Sequence, residues 1–183
     1  MLNRLFALII LIILSPVFLA VALAILIEDG YPIFFKQKRV GINYTFFNIY
    51  KFRSMKKNTP NVATHLLVNP ESYLLRIGGF LRKLSFDELP NLINIIKGEM
   101  VFVGPRPALY NQDDLMALRI AAGIDKLKPG ITGWAQINGR DAISIEAKVA
   151  LEKEYIERKS FVFDVVIVVK TFTSVLGSKG VAH

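Results

Sequence analysis

The first strong pattern in the chain is an uncharged hydrophobic segment near the amino terminus. It runs from Leu5 to Ile27, 23 residues in all, between Arg4 and Glu28. At about 1.5 Å per residue, an unbroken helix of this length would span a hydrocarbon core about 30 Å thick. Ser15-Pro16 lies at its centre, and proline removes a helical hydrogen-bond donor and disfavours helical angles in the preceding residue. The pattern therefore predicts two short helices joined by a bend.

Charges on both flanks indicate how this segment sits in a bilayer. Arg4 precedes it, and three basic residues follow it closely: Lys36, Lys38 and Arg39. Short segments rich in Lys and Arg stay on the cytoplasmic side, so both ends are expected on one face. This favours a re-entrant hairpin that comprises residues 1–28. The Ser15 hydroxyl would donate a hydrogen bond to a carbonyl of the preceding turn. A kinked spanning helix and a cleaved signal peptide are the alternatives, although the apolar stretch is long for the latter.

The following residues show a strand pattern and then a helical one. Tyr31–Phe35 and Tyr44–Phe52 are rich in aromatic and β-branched residues around Gly41-Ile42-Asn43, which predicts a short hairpin. From Glu71 to Leu84, apolar residues recur at helical spacing beside basic ones, which predicts a basic amphipathic helix softened at Gly78-Gly79. Such a helix lies either on a protein core or at a lipid interface.

An acidic pair precedes the next helical pattern. Ser85-Phe86-Asp87-Glu88 has the form of a capping box before an apolar helix that ends at Gly98. Pro90 fits poorly inside that helix and can instead begin it. In either register the acidic pair lies at a helix amino terminus, where the helix dipole favours ionised carboxylates. Asp87 could then be a nucleophile or a magnesium ligand, although an ordinary helix start explains the same residues.

Two turn-rich segments add further polar groups. Val101–Val103 is typical of a short buried strand, and Gly104-Pro105-Arg106-Pro107 follows it. The two prolines restrict the backbone on either side of Arg106, which favours bidentate binding of a phosphate by its guanidinium group. Lys128–Arg140 places turn formers and Gln136 around the single tryptophan, Trp134, a composition that suits a nucleotide pocket. A rigid surface turn and a hairpin with a core tryptophan explain the two segments as well.

The carboxyl-terminal part contains one amphipathic and one apolar segment. Ile145–Tyr155 alternates apolar and charged residues at helical spacing, which predicts an amphipathic helix. Phe161–Val169 is apolar apart from Asp164 and too short to span a bilayer, so it is either buried or interfacial. Together, the predicted elements indicate an α+β fold in which helices surround a small irregular sheet.

Composition narrows the classes of function. The chain has 23 Lys and Arg residues against 15 Asp and Glu, a net charge of +8 that suits nucleic acid, lipid headgroups or a polyphosphate. The absence of cysteine excludes disulfides and thiolate chemistry, and two histidines make a zinc site or histidine triad a poor hypothesis. A membrane-anchored basic protein that binds lipid or nucleic acid without turnover is one hypothesis. It leaves Asp87, Glu88 and Arg106 unexplained, which favours an enzyme.

Several long motifs together resemble a known family. Beside Ser15-Pro16 they are Phe35–Gly41 (FKQKRVG), Tyr50–Met55 (YKFRSM), Arg82–Pro107 (RKLSFDELPNLINIIKGEMVFVGPRP) and Lys128–Arg140. In this order they resemble the monotopic bacterial phosphoglycosyl transferases, the small membrane-embedded class that includes the initiating enzyme of bacterial protein N-glycosylation. The resemblance covers nearly the whole chain.

The resemblance implies transfer of a sugar phosphate from a UDP-sugar to polyprenyl (undecaprenyl) phosphate, with release of UMP and a phosphosugar carried on Asp87. Glu88 would complete the catalytic dyad, and Mg²⁺ would bind through Asp87 and the diphosphate oxygens. The implied substrate contacts are Arg82, Arg106, Lys51, Arg140 and Gln136. Residues 29–183 would form the catalytic domain, with interfacial helices, on the cytoplasmic face of the bacterial inner membrane.

The implied partners are the two substrates and the bilayer, without nucleic acid. The product would initiate the assembly of a glycoprotein or a polysaccharide. No residue pattern selects the sugar, and the resemblance favours a diacetamido-dideoxy sugar.

Overall fold

The structure, a computed structural model, describes residues 1–60, 68–139 and 142–177. Its helices are α1 (Leu2–Ile13), α2 (Ser15–Asp29), α3 (Gly78–Lys83), α4 (Asn91–Lys97), α5 (Asp113–Ala121), α6 (Trp134–Ile137), α7 (Ile145–Arg158) and α8 (Phe161–Gly177). Its strands are β1 (Phe34–Val40), β2 (Phe46–Phe52), β3 (Val101–Val103) and β4 (Gly130–Thr132), paired in two small sheets. The predicted α+β class is confirmed.

The first two helices form a bent pair. α1 and α2 meet at Leu14 with a bend of 63°. Pro16 has no N–H to donate to the Ile12 carbonyl four residues earlier, and the Ser15 hydroxyl donates to that oxygen instead, at 2.8 Å. The predicted bend and serine hydrogen bond are confirmed, but the break lies at Leu14, because Ser15 is already the first residue of α2 and proline is well tolerated in a first turn.

One face of this bent pair packs on the rest of the chain. Ala7 packs with Leu92 and Met100, and Ile25 packs with Phe52. The opposite faces leave large apolar side chains exposed: Leu5, Phe6, Ile9, Ile12, Ile13, Leu19, Leu23 and Ile27. Within the described residues no single helix is long and apolar enough to cross a bilayer, whereas α1 and α2 taken together have that length and composition. The division of the chain at residue 28 stays a prediction.

The predicted β-hairpin is confirmed, with a shifted first strand. β1 and β2 are antiparallel, with Phe34 opposite Phe52, and β1 covers 34–40 where the pattern predicted 31–35. The lysine-rich part of β1 is a strand because its side chains cover aromatic rings of β2: Lys38 Nζ lies 4.2 Å from the centroid of the Phe46 ring. Lys51 lies near the carboxyl end of β2, and its side chain is largely covered.

The predicted amphipathic helix over 71–84 is wrong in its extent. Pro70–Tyr73 forms a 3₁₀ turn, and α3 begins only at Gly78. A Cβ atom at Gly78 would lie 2.1 Å from the Ser54 carbonyl oxygen, so glycine is needed to start the helix against this backbone. The Leu75 amide donates to the same Ser54 oxygen and holds the preceding residues in an extended connection. A lipid-facing role for α3 stays a prediction.

The second sheet carries the turn-rich segments. β3 and β4 are parallel, with Val101 opposite Gly130, so the predicted strand over 101–103 is confirmed and part of the predicted loop over 128–140 is a strand. A Cβ atom at Gly130 would lie 2.2 Å from the Gly104 nitrogen, which shows how closely the two backbones approach. α7 confirms the predicted amphipathic helix and extends it to Arg158, and α8 is longer than the predicted apolar segment.

Candidate active site

The acidic pair lies in a 3₁₀ turn, Phe86–Glu88, between α3 and α4. Ser85 enters this turn in the left-handed region, with φ 56°, and its side chain makes no capping hydrogen bond. The predicted capping box is therefore wrong, because a capping serine needs extended backbone angles. Pro90 immediately precedes α4, so the helix begins one residue later than in the alternative register, which began it at Pro90. A left-handed residue other than glycine costs about 1–2 kcal/mol, and such residues are concentrated at functional sites.

Asp87 is almost completely buried, with 9% of its surface exposed. Burial raises the pKa of its carboxyl group; the positive charges of Lys51 and Arg82 oppose this rise, and the charge of Glu88 adds to it. The sequence predicted that the helix start would favour the ionised form, and a backbone hydrogen bond does lower the pKa, but the net change is upward. Desolvation wins because the aspartate is covered by surrounding residues and α4 begins only three residues after Glu88.

Glu88 holds two positive side chains together. Lys51 Nζ, from β2, lies 2.7 Å from Glu88 Oε1, and Arg106 Nη1, from the loop after β3, lies 3.6 Å from the same oxygen. Lys51 is largely covered, while the Arg106 side chain is 38% exposed and accessible to an anion. Three predicted site residues from distant parts of the chain are thus brought together, and Arg82 acts on the adjacent Asp87.

Lys51, Glu88 and Arg106 line a cleft that is open to solvent, and among the described residues Asp87 and Arg82 are not part of its wall. Its polar and charged wall residues include Arg39, Lys51, Glu88, Asn91 and Arg106. Three of these side chains are positive and one is negative, so the wall carries a positive charge. Such a wall favours an anion with more than one charge, such as a diphosphate.

The backbone around Arg106 is fixed by two other arginines. Arg119 Nη2 donates to the Arg106 carbonyl oxygen at 3.0 Å, and Arg39 Nη1 donates to the Pro107 carbonyl oxygen at 3.0 Å. Arg119 is also ion-paired with Glu152, and both side chains are buried. Sequence reasoning missed this pair. The sequence feature that indicates it is Glu152, an acidic residue on the apolar stripe of α7, seven residues after Ile145.

The remaining predicted site residues lie elsewhere. Gln136 is buried in α6, where its Nε2 donates to the Ile131 carbonyl at 3.3 Å, and it is not among the described residues that line the cleft. Its role toward a nucleotide stays a prediction. Arg140 lies outside the described residues. The Tyr155 hydroxyl donates a hydrogen bond to Asp164 Oδ1 at 2.8 Å. Burial and that hydrogen bond raise the pKa of Tyr155.

Asp87 fits one common mode of magnesium binding. Within residues 1–60, 68–139 and 142–177 no group of three or more Asp, Glu, His or Cys side chains could hold a metal alone. Magnesium is often held by one or two carboxylates, with water and substrate phosphates completing its octahedron. A single carboxylate next in sequence to Glu88, which lines a positively charged cleft, suits this mode. Because the carboxyl must lose its proton to bind a metal, its raised pKa makes affinity fall in acid.

The chain is similar to known proteins along nearly its whole length. The family model for bacterial sugar transferases matches residues 1–178. EpsL, an uncharacterised sugar transferase of Bacillus subtilis, is 41% identical over 91% of this chain and 81% of that protein. The exopolysaccharide production protein ExoY of Sinorhizobium fredii is 39% identical over 97% of this chain and 85% of that protein. The UDP-glucose:undecaprenyl-phosphate glucose-1-phosphate transferase of Escherichia coli is 39% identical over 90% of this chain and 37% of that protein.

Proposed function

The chain belongs to the bacterial sugar transferase family, and from this premise we propose that it transfers a sugar 1-phosphate from a UDP-sugar to polyprenyl phosphate and releases UMP. The Escherichia coli relative is named for this reaction, with UDP-glucose and undecaprenyl phosphate. The observation that carries the proposal is the convergence of Lys51, Glu88 and Arg106 in one cleft beside the buried Asp87.

The charges of the cleft suit attack on a diphosphate. A carboxylate and a diphosphate repel each other, so the reaction needs fixed positive charge near the phosphorus. Lys51 and Arg106 supply it, and Glu88 orients both side chains through one carboxylate oxygen. Little backbone freedom of Arg106 is lost on binding, because Arg119 already holds its carbonyl oxygen. When bound, Mg²⁺ would add charge neutralisation on the diphosphate oxygens.

The proposed transfer has two displacement steps. A carboxylate oxygen of Asp87 attacks the phosphorus next to the sugar, the bond from that phosphorus to the bridging oxygen breaks, and its electron pair leaves with UMP. A phosphate oxygen of polyprenyl phosphate then attacks the same phosphorus, and the bond to Asp87 breaks, which restores the carboxylate. Arg82, whose positive charge lowers the pKa of Asp87, would contact the lipid phosphate. Splitting the reaction lets a soluble and a lipid substrate use the same site in turn.

The proposed site of action is the cytoplasmic face of the bacterial inner membrane. The bent pair α1–α2 would enter one leaflet as a re-entrant hairpin, and its exposed apolar faces support contact with lipid. α8 supports the same placement, because several of its apolar residues are exposed: Phe161, Val162, Val165, Val169 and Phe172. Asp87 would then lie near the headgroup level, where the phosphate of the acceptor resides.

Release of UMP tests this function. The purified protein would be incubated with Mg²⁺, polyprenyl phosphate and a panel of UDP-sugars that includes glucose, N-acetylated and diacetamido-dideoxy sugars. One UDP-sugar is expected to release UMP, which identifies the donor substrate. Without acceptor, mass spectrometry should find a phosphosugar on Asp87. Failure of every UDP-sugar would overturn the transferase proposal, and wild-type turnover by Asp87→Asn would overturn the nucleophile assignment.

A further inference from the structure

Two asparagines on α4 are both buried but differ in their hydrogen bonds. Asn94 is fully bonded: its Oδ1 accepts the Tyr50 amide at 3.1 Å, and its Nδ2 donates to the Asn48 carbonyl and to Glu99, each at 2.7 Å. Asn91 is equally buried, at 2% exposure, yet its Oδ1 has no hydrogen-bond partner within the part of the chain that the structure describes. A buried carbonyl without a hydrogen bond destabilises the folded protein unless water or a ligand satisfies it, so a substrate group is a candidate partner for this oxygen.

Asn91 lies in the wall of the cleft that contains Lys51, Glu88 and Arg106. Lys51 and Arg106 are pure hydrogen-bond donors, which match the acceptor oxygens of phosphates. The Asn91 carbonyl is an acceptor, so it matches the opposite kind of group, an O–H or N–H. Among the described side chains of this wall Glu88 is also an acceptor, and its Oε1 is already engaged by the two cations.

A UDP-sugar carries such a donor next to the reacting phosphate. The transferred sugar is bonded directly to the phosphate that Asp87 would attack, and it bears hydroxyl groups and, in some donors, acetamido N–H groups. We propose that Asn91 is a specificity-determining residue whose side-chain carbonyl accepts a hydrogen bond from a hydroxyl or amide N–H of the transferred sugar. This inference rests on the proposed function, because it assigns the sugar end of the donor substrate to this part of the cleft.

The contrast between the two asparagines supplies a stability test. Asn91→Leu removes an unpaired buried oxygen and should leave Tm unchanged or higher, because it breaks no hydrogen bond. Asn94→Leu is the matched control on the same helix, and it should lower Tm clearly because it leaves the Tyr50 amide and the Asn48 carbonyl unpaired. A loss of Tm in Asn91→Leu comparable to that in the control would overturn the inference by making Asn91 a structural residue.

The ligand test compares nucleotides with and without the sugar. The intact protein, wild type and Asn91→Leu, would be titrated with the UDP-sugar, with UDP and with UMP, so the readout is binding and does not depend on turnover. The variant should bind the UDP-sugar about tenfold more weakly, the usual size of one hydrogen bond, and bind UDP and UMP as the wild type does. Asn91→Ala, which removes the same oxygen without added bulk, should reproduce the result.

Three results would overturn the inference while the proposed function stands. The first is an unchanged preference of both variants for the UDP-sugar over UDP. The second is equal weakening of all three nucleotides, which would place the amide against phosphate or nucleoside. The third is a changed Mg²⁺ requirement with the same sugar preference, which would make Asn91 a metal contact. Failure of the function itself shows differently, as an absence of UMP release by the wild type.

Discussion

The Lys51 ammonium lies 2.7 Å from Glu88 Oε1, the same oxygen that Arg106 Nη1 approaches to 3.6 Å. One carboxylate therefore positions two cations that come from β2 and from the loop after β3. The pair is partly exposed, so its contribution to folding is small, about 1 kcal/mol or less. Its importance is expected to lie in the arrangement of charge in the cleft.

Glu88→Gln should separate these two roles. The amide keeps the shape of the side chain but loses the charge that holds Lys51 and Arg106, so UMP release should fall about 100-fold, while the free energy of unfolding changes by no more than about 1 kcal/mol. Glu154→Gln is the control, because it breaks the surface pair with Arg158, and turnover should remain at the wild-type level. Wild-type turnover in Glu88→Gln would contradict the role of the dyad's second member.

The pH dependence of turnover should report Asp87. Burial raises the pKa of this carboxyl group above its ordinary value of 3.8. Because an attacking carboxylate must be ionised, kcat/KM should rise with pH, and the midpoint of this acid limb should lie above pH 3.8. The charge of Lys51 lowers this pKa, so Lys51→Met should move the acid limb to higher pH. Lys51→Arg keeps the charge and should leave the limb in place. A limb that Lys51→Met does not move would contradict the assignment.

The difference in stability between Asp87→Asn and the wild type should depend on pH. The dependence should have the opposite sense to that found for a salt-bridged aspartate. The pKa of the Asp87 carboxyl is higher in the folded protein than its ordinary value of 3.8. The carboxyl therefore stabilises the fold at pH values below 3.8, and this stabilisation is lost as the pH rises through the folded-state pKa. The variant removes that loss, so its Tm should exceed the wild-type Tm near neutral pH, and the difference should shrink in acid. Turnover should fall by about 1000-fold or more. A Tm gain that is constant across the acid and neutral range would contradict burial as the cause.

The buried Arg119 should act on the site through the backbone of Arg106. Arg119→Met leaves the Glu152 charge buried without its partner and should lower the free energy of unfolding by about 3–5 kcal/mol. The double variant Arg119→Met, Glu152→Leu removes both charges and should recover most of that stability. Turnover should nevertheless stay about 100-fold low, because no guanidinium donates to the Arg106 carbonyl. Full turnover in the stable double variant would show that this contact only supports the fold.

The membrane arrangement can be tested by labelling, because the natural chain has no cysteine. Leu2→Cys and Lys153→Cys each introduce one exposed thiol, at the start of α1 and on α7. In sealed vesicles a re-entrant hairpin makes both thiols reactive from the same side. Adding Pro16→Leu restores an N–H for the Ile12 carbonyl and should let the pair straighten, which moves position 2 to the other face. Opposite faces in the parent chain would contradict the hairpin.

The sequence by itself determined the features that arise within a few residues of chain. Pro16 lacks an N–H whatever surrounds it, so the bend and the Ser15 hydrogen bond to Ile12 followed from the sequence alone. The adjacent acidic pair and the proline-framed Arg106 are likewise set by neighbouring residues. The two-strand hairpin and the α7 helix could be predicted because the spacing of apolar residues in each follows the period of a single local element.

The tertiary structure decided what depends on residues far apart in sequence. Lys51 reaches Glu88 across 37 residues, and Arg119 reaches Glu152 across 33, distances over which no periodicity operates. The same holds for burial: Asp87 has a raised pKa, and Asn91 keeps an unpaired carbonyl, because of what packs around them. Local covalent geometry acts within about a turn of chain, whereas desolvation and charge pairing depend on which distant segments meet.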